Sequence, residues 1–114
     1  MLNRKGANIL IMSSNSGYLL EPSPIGFYSM TKTMLISLMK ILAKDLKNEN
    51  IRVNAIAPGI IKTKFSESLW INNEKDTEKM MGVSRLGVVE DIANCAAFLC
   101  SYEADYITGE CITI

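Results

Sequence analysis

The chain has 114 residues, 48% of them hydrophobic, and its twelve basic residues balance twelve acidic ones. This length and apolar content fit a single domain with a buried core, and a net charge of zero excludes strong electrostatic attraction to nucleic acid or anionic membranes. Because the sequence contains no histidine, a Ser-His-Asp hydrolase, a Cys-His protease and a histidine-ligated metal site are excluded within it, which leaves Tyr, Lys, Cys or carboxylates for acid-base chemistry.

The first predicted element is a short strand over residues 8–12, which form an unbroken apolar run. Such a run indicates a strand that is buried on both faces, as in a parallel sheet. The polar cluster 13–17 follows as a turn, and Pro22, Pro24 and Gly26 keep the next segment irregular.

A long helix is predicted from near Phe27 to about residue 46. Its apolar side chains recur at helical spacing in two adjacent stripes. The first stripe contains Leu35, Met39, Leu42 and Leu46, and the second contains Met34, Leu38 and Ile41. Together they make an apolar face that is wider than contact with one sheet requires.

A second strand is predicted over residues 51–57, which are rich in β-branched and small apolar side chains and end at Pro58-Gly59. Strand, helix and strand in this order form a βαβ unit. We therefore expect two parallel strands joined by a right-handed crossover.

The remaining elements are shorter. Residues 62–85 carry a charged run beside Leu69 and Trp70, and we expect short helices on a mobile flap. A compact helix over 90–100 has acidic residues in its first turn, which suits its dipole. Thr108-Gly109 predicts a turn, and 111–114 begins a final strand.

The three cysteines are Cys95, Cys100 and Cys111, an odd number without a Cys-x-x-Cys pair. A disulfide framework or a zinc knuckle therefore has little support. We expect free and mostly buried thiols.

Tyr28 and Lys32 carry the strongest chemical signal. They lie four residues apart at the start of the long helix, so their side chains share one face. An ammonium beside a phenol favours the phenolate, which suits Tyr28 for proton transfer. On an arbitrary amphipathic helix the same pair is more often solvated surface.

The neighbouring strands strengthen the catalytic interpretation. Ligands of open α/β sheets bind beyond the carboxyl ends of the strands, where Ser13-Ser14 and Pro58-Gly59 must lie. Residues that could serve a site can also have a purely structural role. Ser14 could satisfy the backbone of its turn and Pro58-Gly59 could simply end a strand. Thr63 could cap a helix and Trp70 could belong to the core.

Five ordered motifs resemble the short-chain dehydrogenase/reductase family over nearly the whole chain. They are Ser14, Tyr-Ser-Met-Thr-Lys at 28–32, Ile-Arg-Val-Asn-Ala-Ile-Ala-Pro-Gly at 51–59, Arg-Leu-Gly at 85–87 with Glu-Asp at 90–91, and Tyr-Ile-Thr-Gly at 106–109. Residues 60–70 further resemble NADP-dependent carbonyl and retinal reductases within that family.

The resemblance implies an α/β fold, a partial Rossmann-like doubly wound parallel sheet without the N-terminal dinucleotide-binding strands. Residues 1–114 would form one partial domain, the catalytic C-terminal half. It also implies an NADP(H)-dependent oxidoreductase acting on a small-molecule carbonyl or alcohol, with NAD possible as cofactor. The implied partner is a second subunit or a full-length homologue, docked through the helix over 28–47, with no nucleic acid and no membrane.

The resemblance also assigns residue roles. Tyr28 would protonate the carbonyl oxygen, Lys32 would favour the phenolate and hold the nicotinamide ribose, and Ser14 would bind the substrate oxygen. The carboxamide end of the cofactor would be held by Pro58, Gly59, the Ile61 backbone and Thr63. Phe65, Leu69 and Trp70 of the flap would close over an apolar substrate.

The sequence departs from the family in two major ways, the missing glycine-rich turn and the missing asparagine, and in two finer ones that matter less. It has no glycine-rich turn for the pyrophosphate and lacks the asparagine of the catalytic tetrad, the gap from Ser14 to Tyr28 is one residue longer than usual, and Val89 replaces a common proline. We therefore expect the chain alone to be inactive, and its bare strand edge to make it aggregate or pair.

Two alternatives to a truncated reductase remain open. The chain is a non-catalytic protein that pairs with full-length reductase subunits, or it is an incomplete translation of a longer enzyme. The sequence contains neither a long apolar span nor the C-terminal peroxisomal tripeptide of its relatives, so we expect a soluble, cytoplasmic protein.

Overall fold

The computed structural model describes residues 2, 4–19 and 23–114. Within these residues, three strands form one parallel sheet in the order β1-β2-β3. They are β1 (Asn8–Met12), β2 (Arg52–Ala57) and β3 (Cys111–Thr113). The α/β class, the three predicted strands and the parallel pairing of the first two are thus confirmed.

The helices and turns between the strands follow the predicted order. They are α1 (Ser16–Leu19), α2 (Gly26–Asp45), a 3-10 turn (Lys47–Glu49), a 3-10 helix (Lys64–Leu69), α3 (Glu74–Met81), α4 (Val89–Cys100) and a 3-10 turn (Tyr102–Ala104). The sequence analysis missed α1, because its four residues are too few to show a helical period. The predicted irregular segment after it includes Pro22, which lies outside the described residues.

The two apolar stripes of α2 lie in different environments. The first stripe faces the sheet. Its Met39, together with the adjacent Ala43, is buried against Val53 and Ala55 of β2, and Leu42 and Leu46 pack beside them. The second stripe is exposed to solvent: Met34, Leu38 and Ile41 have exposed fractions of 64%, 44% and 56%. The excess apolar width predicted from the sequence is therefore an uncovered helix face.

The prediction that β1 is buried on both faces is wrong for this chain. Residues Asn8–Ile11 are only half-buried and Met12 is exposed, whereas every residue of β2 is buried. Among the described strands, β1 pairs only with β2, so one of its edges has no strand beside it. The apolar run predicts the character of the strand, but burial depends on what covers it.

The cysteines are also more exposed than predicted. All three are free, as expected, but Cys100 is exposed and the other two are half-buried. Burial raises the pKa of the Cys95 thiol, which keeps it protonated.

Hydrogen bonds join two of the sequence motifs, the one at 51–59 and the one at 106–109. The buried Asn54 side chain donates to Ile107 O at 2.8 Å and accepts from the Glu110 N–H at 3.1 Å. The Arg52 guanidinium donates to the Leu99, Ser101 and Ile107 carbonyls at 2.9, 3.1 and 3.3 Å. The second strand therefore holds the turn before β3, in which Gly109 has a φ of 80°.

The molecule is elongated. Its radius of gyration is 15.6 Å and its extents are 50 × 27 × 22 Å, whereas a compact domain of this length has a radius of about 13 Å. Much apolar surface is consequently uncovered, on α2 and on the flap that contains the 3-10 helix Lys64–Leu69 and α3.

Candidate active site

The carboxyl ends of β1 and β2 meet at one edge of the sheet, as predicted. The Ser13 N–H donates to Ile56 O at 2.8 Å, and the Asn15 N–H donates to Pro58 O at 2.9 Å. These bonds flank Ser14 and place the serine segment directly beside the Pro58-Gly59 loop. The loop is fixed from its other side, since the Gly59 N–H donates to Ile114 O at 2.7 Å.

Tyr28 and Lys32 share one face of α2, close to the end of β1. The Lys32 ammonium lies 5.4 Å from the centre of the Tyr28 ring, a cation–π distance. Its Nζ also donates to Met12 O at 3.4 Å, and the Ser13 hydroxyl donates to Lys32 O at 2.8 Å. The helix and the strand end therefore hold each other in position around this pair.

Gly17 allows α1 to pack tightly against α2 at the level of Lys32. A Cβ on Gly17 would lie 3.0 Å from the Lys32 carbonyl carbon and 3.1 Å from Ile36 Cδ1. The Thr33 hydroxyl donates to Gly17 O at 2.8 Å. Because the nearest obstacle to a Cβ is backbone, a larger residue would require α1 and α2 to separate by a few tenths of an ångström.

Ser14 is buried and partly occupied in its own turn. Its hydroxyl oxygen accepts from the Ser16 N–H at 3.2 Å, and it donates to Asn15 Oδ1 at 3.4 Å. Within the described part of the chain, no hydrogen bond joins the Tyr28 hydroxyl to Ser14 or to Lys32. The structure brings the three residues to one edge without linking them directly.

The loop after Pro58-Gly59 continues past Gly87. Ile60 O accepts from the Gly87 N–H at 3.3 Å and the Lys62 N–H donates to Gly87 O at 2.8 Å, in a parallel bridge between Ile61 and Gly87. The Ile61 N–H consequently points away from Gly87 and has no partner among the described residues. Thr63 precedes the 3-10 helix as its N-cap residue, which was its structural alternative.

The predicted substrate side chains lie on the flap and differ in burial. Phe65 and Leu69 have exposed fractions of 87% and 57%. Trp70 is half-buried and its indole N–H donates to the Ser66 hydroxyl at 3.1 Å. The Lys62 ammonium lies 5.7 Å from the Trp70 ring and forms an ion pair with Glu74.

A cleft of about 960 Å³ lies beside this edge of the sheet. Gly59 and Ile61 line it, together with residues that the sequence analysis did not select, including Tyr18, Met81 and Val83. Ser14, Tyr28, Lys32 and the three flap residues do not line it. Tyr18 and Met81 carried no distinguishing signal, because single apolar or aromatic residues in weak patterns are common.

Tyr18 is a second tyrosine near the site and is poorly suited to proton transfer. A hydrogen bond with Cys111, and then burial, raise its pKa to about 12. The group therefore stays protonated across the physiological range.

The Arg85 and Asp91 motif residues cap the last helix. Arg85 forms two hydrogen bonds with the Asp91 carboxylate at 2.7 and 2.8 Å, and the Val88 N–H donates to the same carboxylate at 2.8 Å. The bonds from Arg85 and then from Val88 lower the pKa of Asp91 to about 2. These residues shape the start of α4.

Among residues 2, 4–19 and 23–114, no three His, Cys, Asp or Glu side chains lie close enough together to hold a metal ion. None of the helices in the same ranges has the length and apolar character needed to cross a bilayer.

Comparisons with known proteins agree on one family. A family model described as Enoyl-(Acyl carrier protein) reductase matches residues 1–114. The chain is 45% identical over 118 residues to dehydrogenase/reductase SDR family member 4 of Homo sapiens, covering 100% of this chain and 41% of that relative.

Solved structures give the same result. A short-chain dehydrogenase/reductase from Brucella melitensis, SDR:Glucose/ribitol dehydrogenase, matches with a TM-score of 0.89 and 31% identity over 97% of this chain and 44% of its own. A 4-hydroxyisoleucine dehydrogenase complexed with NADH matches with a TM-score of 0.84 and 34% identity over 94% and 44%. The chain therefore spans less than half the length of these relatives.

Proposed function

Because the chain belongs to the short-chain dehydrogenase/reductase family, we propose that it supplies the proton-transfer part of a nicotinamide-dependent oxidoreductase acting on carbonyl or alcohol groups. The family assignment made from the ordered motifs is confirmed. The activity remains a proposal, since the chain covers 41% of the human relative's length.

The observation that carries the proposal is the position of Tyr28 beside Lys32 at the carboxyl edge of the sheet. The Lys32 ammonium lies 5.4 Å from the centre of the phenol ring, within cation–π distance. Tyr28 would donate its proton to a carbonyl oxygen, or accept one from an alcohol in the reverse direction. Ser14 would hold the same substrate oxygen by a hydrogen bond.

The loop after β2 has groups that fit the carboxamide of a nicotinamide. The Ile61 N–H has no partner among the described residues and can donate to the carboxamide oxygen, while the Thr63 hydroxyl and the Pro58-Gly59 backbone lie on the same loop. Lys32 would hold the ribose hydroxyls. NADP(H), or alternatively NAD(H), would supply the hydride when bound, as a nicotinamide cofactor does.

The flap would provide the substrate side of the site. Phe65, Leu69 and Trp70 form an apolar set of which the first two face solvent, which favours an apolar ketone or a retinal-type substrate. The 114-residue chain has no glycine-rich turn for the pyrophosphate, so by itself it should bind cofactor weakly and turn over little or no substrate.

A titration with NADPH, followed by the change in cofactor fluorescence, tests the cofactor contacts. We expect weak but measurable binding that Thr63→Val weakens further. Ser68→Ala is the matched control, because Ser68 is an exposed serine of the same 3-10 helix. Binding that is identical in the parent and Thr63→Val would remove Thr63 from the site, and no binding at the highest cofactor concentration would remove the whole loop.

A second candidate function is a non-catalytic partner of full-length family members. It is favoured by the uncovered face of α2, where a groove of about 480 Å³ is lined by Met30, Met34, Leu38 and Ile41 among others. In the same groove the buried Ser29 hydroxyl has no hydrogen-bond partner among the residues that the structure describes. Both features suit docking of a second helix.

Co-purification with a full-length reductase subunit tests the second candidate. We expect Met34→Glu to abolish capture, because it would place a charge in an apolar contact. Lys40→Ala, at an exposed polar position of the same helix, should leave capture unchanged. Equal capture of both variants would show that this face is not the docking surface.

A further inference from the structure

The flap and the proposed cofactor loop are joined through one side chain, Ser66. This serine is buried, with an exposed fraction of 8%. Its hydroxyl donates to Ile61 O and accepts from the Trp70 indole N–H at 3.1 Å and from the Thr63 N–H at 3.3 Å. These bonds connect two loop residues with the half-buried aromatic residue of the flap.

The three bonds use the full capacity of the hydroxyl, which has one hydrogen and two lone pairs. The Thr63 hydroxyl also lies 3.2 Å from Ser66 Oγ. The Thr63 side chain therefore belongs to the same hydrogen-bond cluster, at the N-cap of the 3-10 helix. Ser66 therefore fixes the backbone of the loop at Ile61 O and at the Thr63 N–H.

Lys62 forms a parallel link between the same two parts. Its ammonium lies over the Trp70 ring at 5.7 Å and pairs with Glu74 at the start of α3. The side chain is about two-thirds buried. The indole is thus held through its N–H by Ser66 and through its ring face by Lys62.

We infer that Ser66 is a positioning residue that sets the geometry of the flap and of the cofactor loop together. A shift of the Ser66 hydroxyl would weaken its bonds from the Trp70 indole and from the Thr63 N–H at the same time. The inference rests on the proposed function, because it gives the loop its ligand and the flap its substrate. Ser66 itself would not touch either one.

The sequence offers a direct readout, since Trp70 is the single tryptophan. The chain therefore has one indole N–H signal in a ¹H–¹⁵N NMR spectrum. We expect Ser66→Ala to move this signal towards that of a free indole. It should also raise the exchange rate of the Thr63 amide about fivefold, which corresponds to the loss of about one net hydrogen bond.

Three further variants separate positioning from general destabilisation. Ser66→Thr keeps the hydroxyl and should retain the parent signals. Ser68→Ala removes an exposed serine and should change neither signal. Lys62→Met removes the ring contact but keeps the hydrogen bond, so the indole signal should shift less than in Ser66→Ala and the Thr63 exchange rate should stay at the parent value.

Two results would overturn the inference. One is an unchanged indole signal in Ser66→Ala. The other is a shifted indole signal with an unchanged Thr63 exchange rate, which would show that flap and loop are independent. A parallel titration with NADP⁺ tests the proposed function separately. If no signal of the parent chain moves, the proposed cofactor contacts are wrong. The spectra of parent and variants without NADP⁺ still decide the role of Ser66.

Discussion

Asn54 is predicted to hold the last strand in place, and Asn54→Ala tests this. The side chain has an exposed fraction of 2% and satisfies the Glu110 N–H and the Ile107 carbonyl. From β3 the chain continues to Ile114, whose carbonyl accepts from the Gly59 N–H at 2.7 Å. Loss of Asn54 should therefore loosen β3 and, through it, the Pro58-Gly59 loop.

The size of the effect follows from which groups lose their partners. Glu110 is exposed, so loss of the bond from its N–H costs about the net value of one hydrogen bond, about 1 kcal/mol. The Ile107 carbonyl keeps its bond from Arg52 at 3.3 Å, so its loss is close to the net value of one hydrogen bond, about 1 kcal/mol. The expected decrease in the free energy of unfolding is about 2 kcal/mol, a substantial part of the total of an ordinary domain.

Urea unfolding followed by circular dichroism measures this change. Asn48→Ala is the control, because Asn48 is exposed and its substitution should change stability by no more than about 0.5 kcal/mol. Amide exchange in β3 should accelerate in Asn54→Ala alone. If the two variants have equal stability, the hydrogen bonds between the two motifs do not hold β3 in place.

Three further predictions concern the packing, the charges and the surface. Gly17→Ala should lower the free energy of unfolding measured in urea. Overpacking against the Lys32 backbone costs about 1–3 kcal/mol, whereas alanine gains at most about 1 kcal/mol in helix propensity. A variant more stable than the parent would contradict this. Arg85 lowers the pKa of Asp91 from 3.8 to about 2. The pair therefore stabilises the fold above pH 3.8, and this contribution is lost as the pH falls through 2. Asp91→Asn should be less stable than the parent above pH 3.8, and the difference should disappear between pH 3.8 and 2 in an acid titration. The parent chain should associate in light scattering and Met34→Glu should reduce the association, whereas a monomeric parent would refute the exposed-face argument.

The sequence predicted the elements better than their surroundings. The strand 8–12, the helix beginning near Phe27 and the strand ending at Pro58 depend on local period and turn chemistry, and the structure reproduces them. The prediction that β1 is buried on both faces was wrong, because burial depends on a neighbouring strand and no pattern within residues 8–12 can indicate whether one is present. For the same reason the sequence did not predict that Cys100 is exposed.

The candidate site shows the same division. Helical spacing and strand order predicted that Tyr28, Lys32 and Ser14 meet at one edge of the sheet, because both are properties of local geometry and topology. The hydrogen bonds of Ser66 could not be predicted, since they depend on how a weakly patterned flap folds back on the loop. The cleft lined by Tyr18 also arises only from tertiary packing.

The most direct test of the account is reduction of a dicarbonyl by NADPH when this chain is co-expressed with the amino-terminal part of the human relative, the part that it does not match. The account predicts turnover by the parent and by Tyr102→Phe, an exposed tyrosine. It also predicts a loss of about 10²–10⁴-fold in Tyr28→Phe, as for removal of a general acid. Turnover that survives unchanged in Tyr28→Phe, or a parent that remains inactive in the assembled pair, would contradict the proposal that this chain carries the proton-transfer site.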